Sequence, residues 1–214
     1  MTKKIITVVV AMLASGCFAQ TPDVLGEVAQ MLEGTILIVP HRESADGRMT
    51  ACGLEFSALK RDFSTKGGAP VKVVGSFYMR NHSNGGLFYA LKIGIADGLG
   101  ATPIVSAPAN AFIRSPRGKA PIKAQRSPAE NPDYALFVGV VDDDVVSAYQ
   151  AIAEQKQLVV GFNRAPGQMD VITVLDLTVI DTKMEGGKVV RQKSQEPVKD
   201  FLDCTGTLFK SLKK

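Results

Sequence analysis

Residues 71–96, VKVVGSFYMRNHSNGGLFYALKIGIA, carry the clearest β-strand signal in this chain. Two runs rich in β-branched and aromatic residues, Val71–Arg80 and Leu87–Ala96, flank the polar segment NHSNGG. Within that segment, Asn84-Gly85 suits the positive φ angles of a tight hairpin turn. The stretch therefore predicts an antiparallel β-hairpin.

Further strands are predicted on both sides of this hairpin. Thr50–Leu59 is ambiguous, because its apolar residues alternate as on a strand but also match one face of a helix, and we favour the strand. Asp46-Gly47, Pro166-Gly167 and Gly186-Gly187 predict turns. The other predicted strands are Thr35–Val39 (ended by Pro40), Tyr134–Val141, Leu158–Phe162, Met169–Ile180 and Val189–Gln192.

Three helices are predicted, over Asp23–Leu32, after the acidic run Asp142–Asp144, and at the C-terminus. The C-terminal helix has the strongest pattern in the chain. Its apolar stripe is Val198, Phe201, Leu202, Thr205, Leu208, Phe209 and Leu212. Together these elements predict an α+β fold, mainly an antiparallel β sheet or sandwich of roughly six to nine strands, with a packed C-terminal amphipathic helix.

The N-terminal residues have the layout of a bacterial export signal. The basic pair Lys3-Lys4 precedes an apolar run over Ile5–Leu13 and then a stretch of small residues. That run is too short to cross a bilayer, which takes about 20 residues. We expect a signal peptide over 1–19 and a single globular domain over 20–214, in the periplasm or secreted. The alternative is lipidation at Cys17, since LASGC resembles a lipobox, with anchoring to the outer membrane.

Two further cysteines, Cys52 and Cys204, remain once Cys17 is set aside. An even pair in an oxidising compartment favours a disulfide, while two buried free thiols are the alternative. Cys204 lies at the edge of the apolar stripe of the C-terminal helix, so a bridge would join that helix to a strand.

The segment over residues 98–129 differs from the rest of the chain. It holds five prolines and no acidic residue, and we expect a long irregular excursion with one short strand near Ala111–Ile113. Loss of Lys3 and Lys4 lowers the formal net charge of the chain from +4 to +2, because 25 − 2 basic residues stand against 21 acidic ones. Against so weak an overall charge, the local excess of positive charge is the one surface feature that favours a partner. The basic residues of the excursion are Arg114, Arg117, Lys119, Lys123 and Arg126.

An anionic component of the envelope, or an acidic protein, is the partner this basic segment predicts. A solvated loop held open by proline is the alternative. No aromatic residue interleaves the charges, which argues against single-stranded nucleic acid.

The sequence contains no complete catalytic or metal-binding motif. Ser57-Ala58-Leu59-Lys60 matches the Ser-x-x-Lys pattern of penicillin-binding proteins, but on the predicted strand Ser57 and Lys60 point to opposite faces. His41 and His82 lie in segments that resemble turns and match no metal spacing. We interpret Asp142–Asp144 as a helix cap rather than a cation site. No metal and no cofactor are predicted.

The order strand, helix, strand, strand, helix after Tyr134 resembles that of secreted, virulence-associated envelope proteins of the invasion-associated locus B type. The resemblance covers the last third of the chain and rests on layout, so we draw no function from it. The favoured hypothesis is a non-enzymatic binding or interaction module of the periplasm or cell envelope. The alternatives are a small secreted hydrolase and a lipid-anchored structural protein of the outer membrane.

Overall fold

Long antiparallel strands form the first part of the structure. A computed structural model of the chain describes Glu27 and residues 30–81, 86–98, 103–114 and 121–211. Each of the first four strands pairs with the next, so the hairpin predicted over residues 71–96 is confirmed in its two strands, while Asn84 and Gly85 lie outside the described residues. These strands are β1 (Gly34–Ala45), β2 (Arg48–Asp62), β3 (Ala69–Asn81) and β4 (Leu87–Asp97).

Eight shorter strands follow in the described part of the chain. They are β5 (Val105–Ser106), β6 (Asn110–Arg114), β7 (Gln125–Ser127), β8 (Ala135–Val140), β9 (Gln157–Asn163), β10 (Val171–Asp176), β11 (Val179–Glu185) and β12 (Lys188–Lys193). The large sheet has the order β1-β2-β3-β4-β8-β7, with β5 also paired to β4, and a second sheet has the order β10-β9-β6. Strands β11 and β12 form a separate two-stranded ribbon.

Two helices, α1 (Asp143–Gln155) and α2 (Glu196–Ser211), pack with both sheets around one hydrophobic core. The Tyr149 hydroxyl of α1 lies 2.8 Å from the Thr205 hydroxyl of α2, and the two helices also meet through aromatic rings. Core side chains come from every layer: Leu54, Phe77, Leu91 and Ile93 from the large sheet, Val160 and Phe162 from the second sheet, Val145 and Ile152 from α1, and Phe201 and Leu208 from α2. The predicted α+β fold, with its antiparallel strands and packed C-terminal helix, is confirmed.

The start of α1 is capped as the sequence predicts. Asp142 is the N-cap of α1, and its carboxylate accepts a hydrogen bond from the Val145 backbone N–H at 3.0 Å, which satisfies one free amide of the first turn. The cap interpretation of the acidic run is therefore confirmed.

Of the helix predicted over Asp23–Leu32, Glu27 and residues 30–32 are described and are helical. Cys17 and the predicted signal peptide lie outside the described residues. Within the described ranges, no helix has both the length and the apolar character that a bilayer span requires.

The predicted disulfide is present. Cys52 of β2 is bonded to Cys204 of α2, with the two Cα atoms 5.7 Å apart and a sequence separation of 152. Both cysteines are buried, and Met49 Sδ lies 3.5 Å from Cys204 Sγ. The bond fastens the last helix of the chain to the second strand.

Two strand predictions had the wrong bounds. The first strand was expected to end at Pro40, yet β1 continues to Ala45, because β1 is an edge strand and an edge position tolerates a residue without an N–H. The single strand predicted over Met169–Ile180 is divided into β10 and β11. The break falls where the Leu177 N–H turns to the Lys156 carbonyl at 2.8 Å and the Thr178 N–H to the Asp176 carboxylate at 3.0 Å.

The excursion over residues 98–129 is more regular than expected. The short strand near Ala111–Ile113 is confirmed as β6, but β5 and β7 also lie within this segment and were missed. These two strands are two and three residues long, too short for a periodic signal, and they form because β4 and β8 offer free edges to pair with.

Candidate functional site

Alternate residues of the large sheet form two very different faces. On β2, Cys52, Leu54 and Phe56 point into the core, whereas Glu55 and Ser57 point away from it. Because successive side chains on a strand lie on opposite sides of the sheet, the same strands build a buried inner face and an exposed outer face.

The register brings outer-face side chains together in rows across the sheet. Glu55 pairs with Ser76, and Ser76 pairs with Lys92. On one side of this row Val39 pairs with Glu55, and on the other Lys92 pairs with Leu136. Since directly paired residues of antiparallel strands share a face, an acid, a hydroxyl and a base stand side by side on three neighbouring strands.

Three depressions adjoin along this face, and we call them together the outer groove. Their volumes are about 300, 560 and 510 Å³, from the β1 side to the β7 side. The first and second share Glu55, Ser76 and Lys92 in their walls, and the second and third share Phe88 and Val138. The outer groove thus runs across the large sheet from Leu37 of β1 to Gln125 of β7 and is open to solvent.

Tyr78 lies flat over the backbone of β2 in the wall of the outer groove. A Cβ atom at Gly53 would stand 2.4 Å from Tyr78 Cδ1, so this position has to be glycine for the ring to lie where it does. The Tyr78 hydroxyl donates to Glu55 Oε1 at 3.5 Å, and the His41 ring meets the Tyr78 ring edge-on at 5.6 Å between centroids. Burial, together with the negative charges of Glu55 and Glu43, raises the pKa of the Tyr78 phenol from 10.0 to about 12.

Two cations of the outer groove, Arg80 and Lys92, differ in their partners. The Arg80 guanidinium forms an ion pair with Glu43 at 2.9 Å, so these two charges neutralise each other. The Lys92 ammonium lies over the ring of Tyr134, 5.1 Å from its centroid. No carboxylate of a described residue lies within ion-pair distance of Lys92.

His41 was expected in a turn, and this was wrong. It belongs to β1 and contacts the acid of the groove wall, with its Nδ1 atom 3.7 Å from Glu55 Oε1. The sequence of β1 after Pro40 is polar and resembles a loop, because on an edge strand one face and one edge are both open to water. His82 lies outside the described residues.

The five basic residues predicted as an anionic-partner patch are partly described. Arg114 ends β6, Lys123 precedes β7, and Arg126 lies on β7, whereas Arg117 and Lys119 lie outside the described residues. The Ile122 N–H donates to the Ile113 carbonyl at 2.9 Å. Arg114 and Lys123 follow these two residues in the chain, and no described carboxylate pairs with either of them or with Arg126.

Candidate chemistry elsewhere on β2 is ruled out by geometry. Ser57 and Lys60 point to opposite faces, as expected, and Lys60 Nζ is bound to Glu33 Oε1 at 2.5 Å. Within the described parts of the chain, no group of three or more His, Cys, Asp or Glu side chains is placed to hold a metal ion.

A second charged cluster is a brace rather than a reaction centre. The fully buried Asp62 carboxylate accepts the Ser64 and Thr65 N–H groups at 2.9 Å, the Thr65 hydroxyl at 2.7 Å and Arg164 Nε at 3.2 Å. Arg164 also binds Asp97 at 2.5 Å. Burial alone raises the pKa of Asp62, but the hydrogen bonds from Thr65 and Arg164 outweigh it and hold the pKa below 3.8. The cluster ties the β2–β3 turn to the ends of β4 and β9.

Comparison with models of protein families, with curated proteins and with solved structures gives no match to this chain.

The outer groove was missed in the sequence. Glu55, Ser76, Tyr78 and Lys92 are polar or amphipathic residues at alternate places in otherwise apolar strands, which is the pattern of any half-exposed sheet. The signal that marks them as a group is the register of β2, β3 and β4, and the register depends on long-range pairing rather than on any local motif.

Proposed function

We propose that this protein is an exported, non-enzymatic binding protein of the periplasm or cell envelope, and that it holds its ligand in the outer groove. The observation that carries the proposal is that three adjoining depressions, which share wall residues, extend over the width of the large sheet. Concave channels lined by aromatic side chains and a few polar groups are where proteins bind ligands.

The chemistry of the groove favours binding over catalysis. A nucleophilic mechanism requires a serine, cysteine or lysine within hydrogen-bond reach of a base. In the groove the Ser76 hydroxyl stands beside Glu55 and Lys92, but no hydrogen bond joins it to either of these described residues, and the imidazole of His41 contacts the acid Glu55. A hydrolase that uses a nucleophile, which is one form of the alternative hypothesis, needs such a pair.

Export is supported by the sequence of residues 1–19, and a disulfide is what an oxidising compartment permits. Protein purified from native cells is expected to begin at Gln20, or at a lipidated Cys17 if the lipid-anchored alternative holds. N-terminal sequencing and intact mass decide between the two. A chain that retains Lys3 and Lys4 in the cytoplasmic fraction contradicts export altogether.

Binding in the groove is tested by hydrogen exchange of the full mature protein, with and without a concentrated periplasmic extract and a washed envelope fraction. Protection is expected on residues 53–57, 76–80 and 90–92. The matched pair of variants is Lys92→Ser in the groove and Lys188→Ser at the exposed start of β12, both of which remove one lysine. Lys92→Ser is expected to lose the protection and Lys188→Ser to keep it. No protection of the groove by either fraction, or equal behaviour of the two variants, would count against the proposal.

The basic residues of the excursion support a second contact, with an anionic component of the envelope. The hydrogen bond between Ile113 and Ile122 brings the neighbouring residues Arg114 and Lys123 toward each other, so their charges add. Replacement of Arg114, Arg117 and Lys119 by Ser is expected to weaken retention on an anionic envelope fraction at low salt. The loss should shrink at high salt, because screening already weakens the wild-type contact. Equal retention of variant and wild type at low salt would support the alternative that this segment is a solvated loop.

A further inference from the structure

We infer that the outer groove takes a short peptide with a free amino end and a free carboxyl end, its ammonium against Glu55 and its carboxylate against Lys92. This inference rests on the proposed function and names the class of ligand. It starts from a charge pattern in the groove that the fold leaves incomplete.

Glu55 and Lys92 are the two charges of the row that crosses the groove, and neither has a strong partner of opposite sign. Glu55 meets the Tyr78 hydroxyl at 3.5 Å and the His41 ring at 3.7 Å, and no described lysine or arginine lies within ion-pair distance of it. Lys92 meets the ring of Tyr134, which steadies an ammonium but does not neutralise it. By contrast, Arg80 and Glu43 are paired with each other. A ligand that brings one positive and one negative group therefore completes the pattern.

The spacing of the two strands suggests the length of that ligand. Ser76 stands between Glu55 and Lys92 in the same row, so the two backbones are two strand spacings apart, about 10 Å. An extended peptide advances about 3.3 Å per residue, so a tripeptide matches the separation of the two strands.

The walls beside this row suit a peptide rather than a simple anion. Val39 and Leu136 flank the two charges in the row itself, and Ala90 lies beside them in the next row. These side chains offer apolar contact to small side chains of a ligand. A phosphate or a sugar carboxylate would satisfy Lys92 and leave Glu55 unpaired, and an uncharged glycan would satisfy neither.

The test uses trialanine and its blocked forms on the full mature protein, with binding measured by titration calorimetry and by NMR shifts of the groove amides. Trialanine with free ends is expected to bind. The N-acetylated and the C-amidated peptides are each expected to bind about tenfold or more weakly, because each loses one charge-assisted contact.

Two variants assign each end of the peptide to its partner. In Lys92→Met the free and the C-amidated peptides should bind equally, and in Glu55→Gln the free and the N-acetylated peptides should bind equally. Lys188→Ser serves as the control and should retain both preferences. The inference is overturned if doubly blocked trialanine binds as tightly as the free peptide, or if the preferences persist in the variants.

The two proposals fail in distinguishable ways. If the periplasmic extract protects the groove while no form of trialanine binds, the groove is a binding site and the ligand class named here is wrong. If neither the extracts nor the peptides bind there, the proposed function falls as well.

Discussion

The two faces of the large sheet are made by the same strands and have opposite characters. On the inner face, Leu54 and Phe77 are fully buried against the helices and the second sheet, and Cys52 is bonded to α2. On the outer face, Glu55 and Tyr78, the very next residues, border an open groove. Each strand therefore contributes to stability through one set of alternate side chains and to surface chemistry through the other. Changes to neighbouring residues should therefore have unlike effects.

The sharpest contrast lies between adjacent residues of β3. Phe77→Ala should lower the free energy of unfolding by about 3–5 kcal/mol, because it opens a cavity in a packed core. Tyr78→Ala should cost about 1 kcal/mol, since its ring is half-exposed on the groove wall. Urea unfolding of both variants measures the difference. Equal losses would show that the outer face is as structural as the inner one.

Loss of the disulfide should lower stability and leave the outer groove unchanged. Replacing both cysteines, as Cys52→Ala with Cys204→Ala, is expected to lower the free energy of unfolding by about 2–5 kcal/mol, because the bond closes a long loop in the unfolded chain. Reduction of the wild type should lower the free energy of unfolding by a similar amount. Urea unfolding with and without reductant measures both effects. Groove amides in NMR spectra should keep their shifts. Two titratable thiols in the folded, oxidised protein would refute the bond.

The brace around Asp62 should make the fold sensitive to acid. Asp62→Asn is expected to cost about 2–3 kcal/mol near neutral pH, since it removes a charge that accepts several hydrogen bonds. Because the folded pKa of Asp62 is lowered, its contribution is fully present above pH 3.8 and is lost as the pH falls through that lowered pKa. Wild type should therefore lose stability in acid more steeply than Asp62→Asn, as measured by unfolding at a series of pH values. Parallel pH curves would contradict this role.

The smallest expected effect is a titration on the outer face. Glu55→Gln should lower the pKa of Tyr78 from about 12 part of the way toward 10.0, because the main cause, burial, remains. NMR of ring-labelled tyrosine measures it. The stability that the raised pKa of Tyr78 supplies is fully present below pH 10.0 and is lost as the pH rises toward about 12. Glu55→Gln should therefore lose less free energy of unfolding in alkali than the wild type. An unchanged pKa of Tyr78 in Glu55→Gln would show that Glu55 does not contribute to raising it.

Sequence patterns predicted the elements whose signals are local. The central hairpin, the strand over β2 and the C-terminal helix follow from β-branched runs and from an apolar stripe at helical spacing. Predictions went wrong where pairing partners decide: β1 runs through Pro40 because it is an edge strand, and β5 and β7 exist because β4 and β8 leave edges free. The division between β10 and β11 likewise depends on the Lys156 carbonyl, 21 positions before Leu177 in the chain.

By itself the sequence determined the α+β class, the even pair Cys52 and Cys204, the cap at Asp142 and the basic character of residues 98–129, since each depends on residue type or short-range spacing. Tertiary structure alone decided that Glu55, Ser76 and Lys92 form a row, that Tyr78 lies over Gly53, and that Arg164 reaches Asp62. The physical reason is register. Shifting one strand by a single residue leaves every local pattern intact yet moves each side chain to the other face of the sheet.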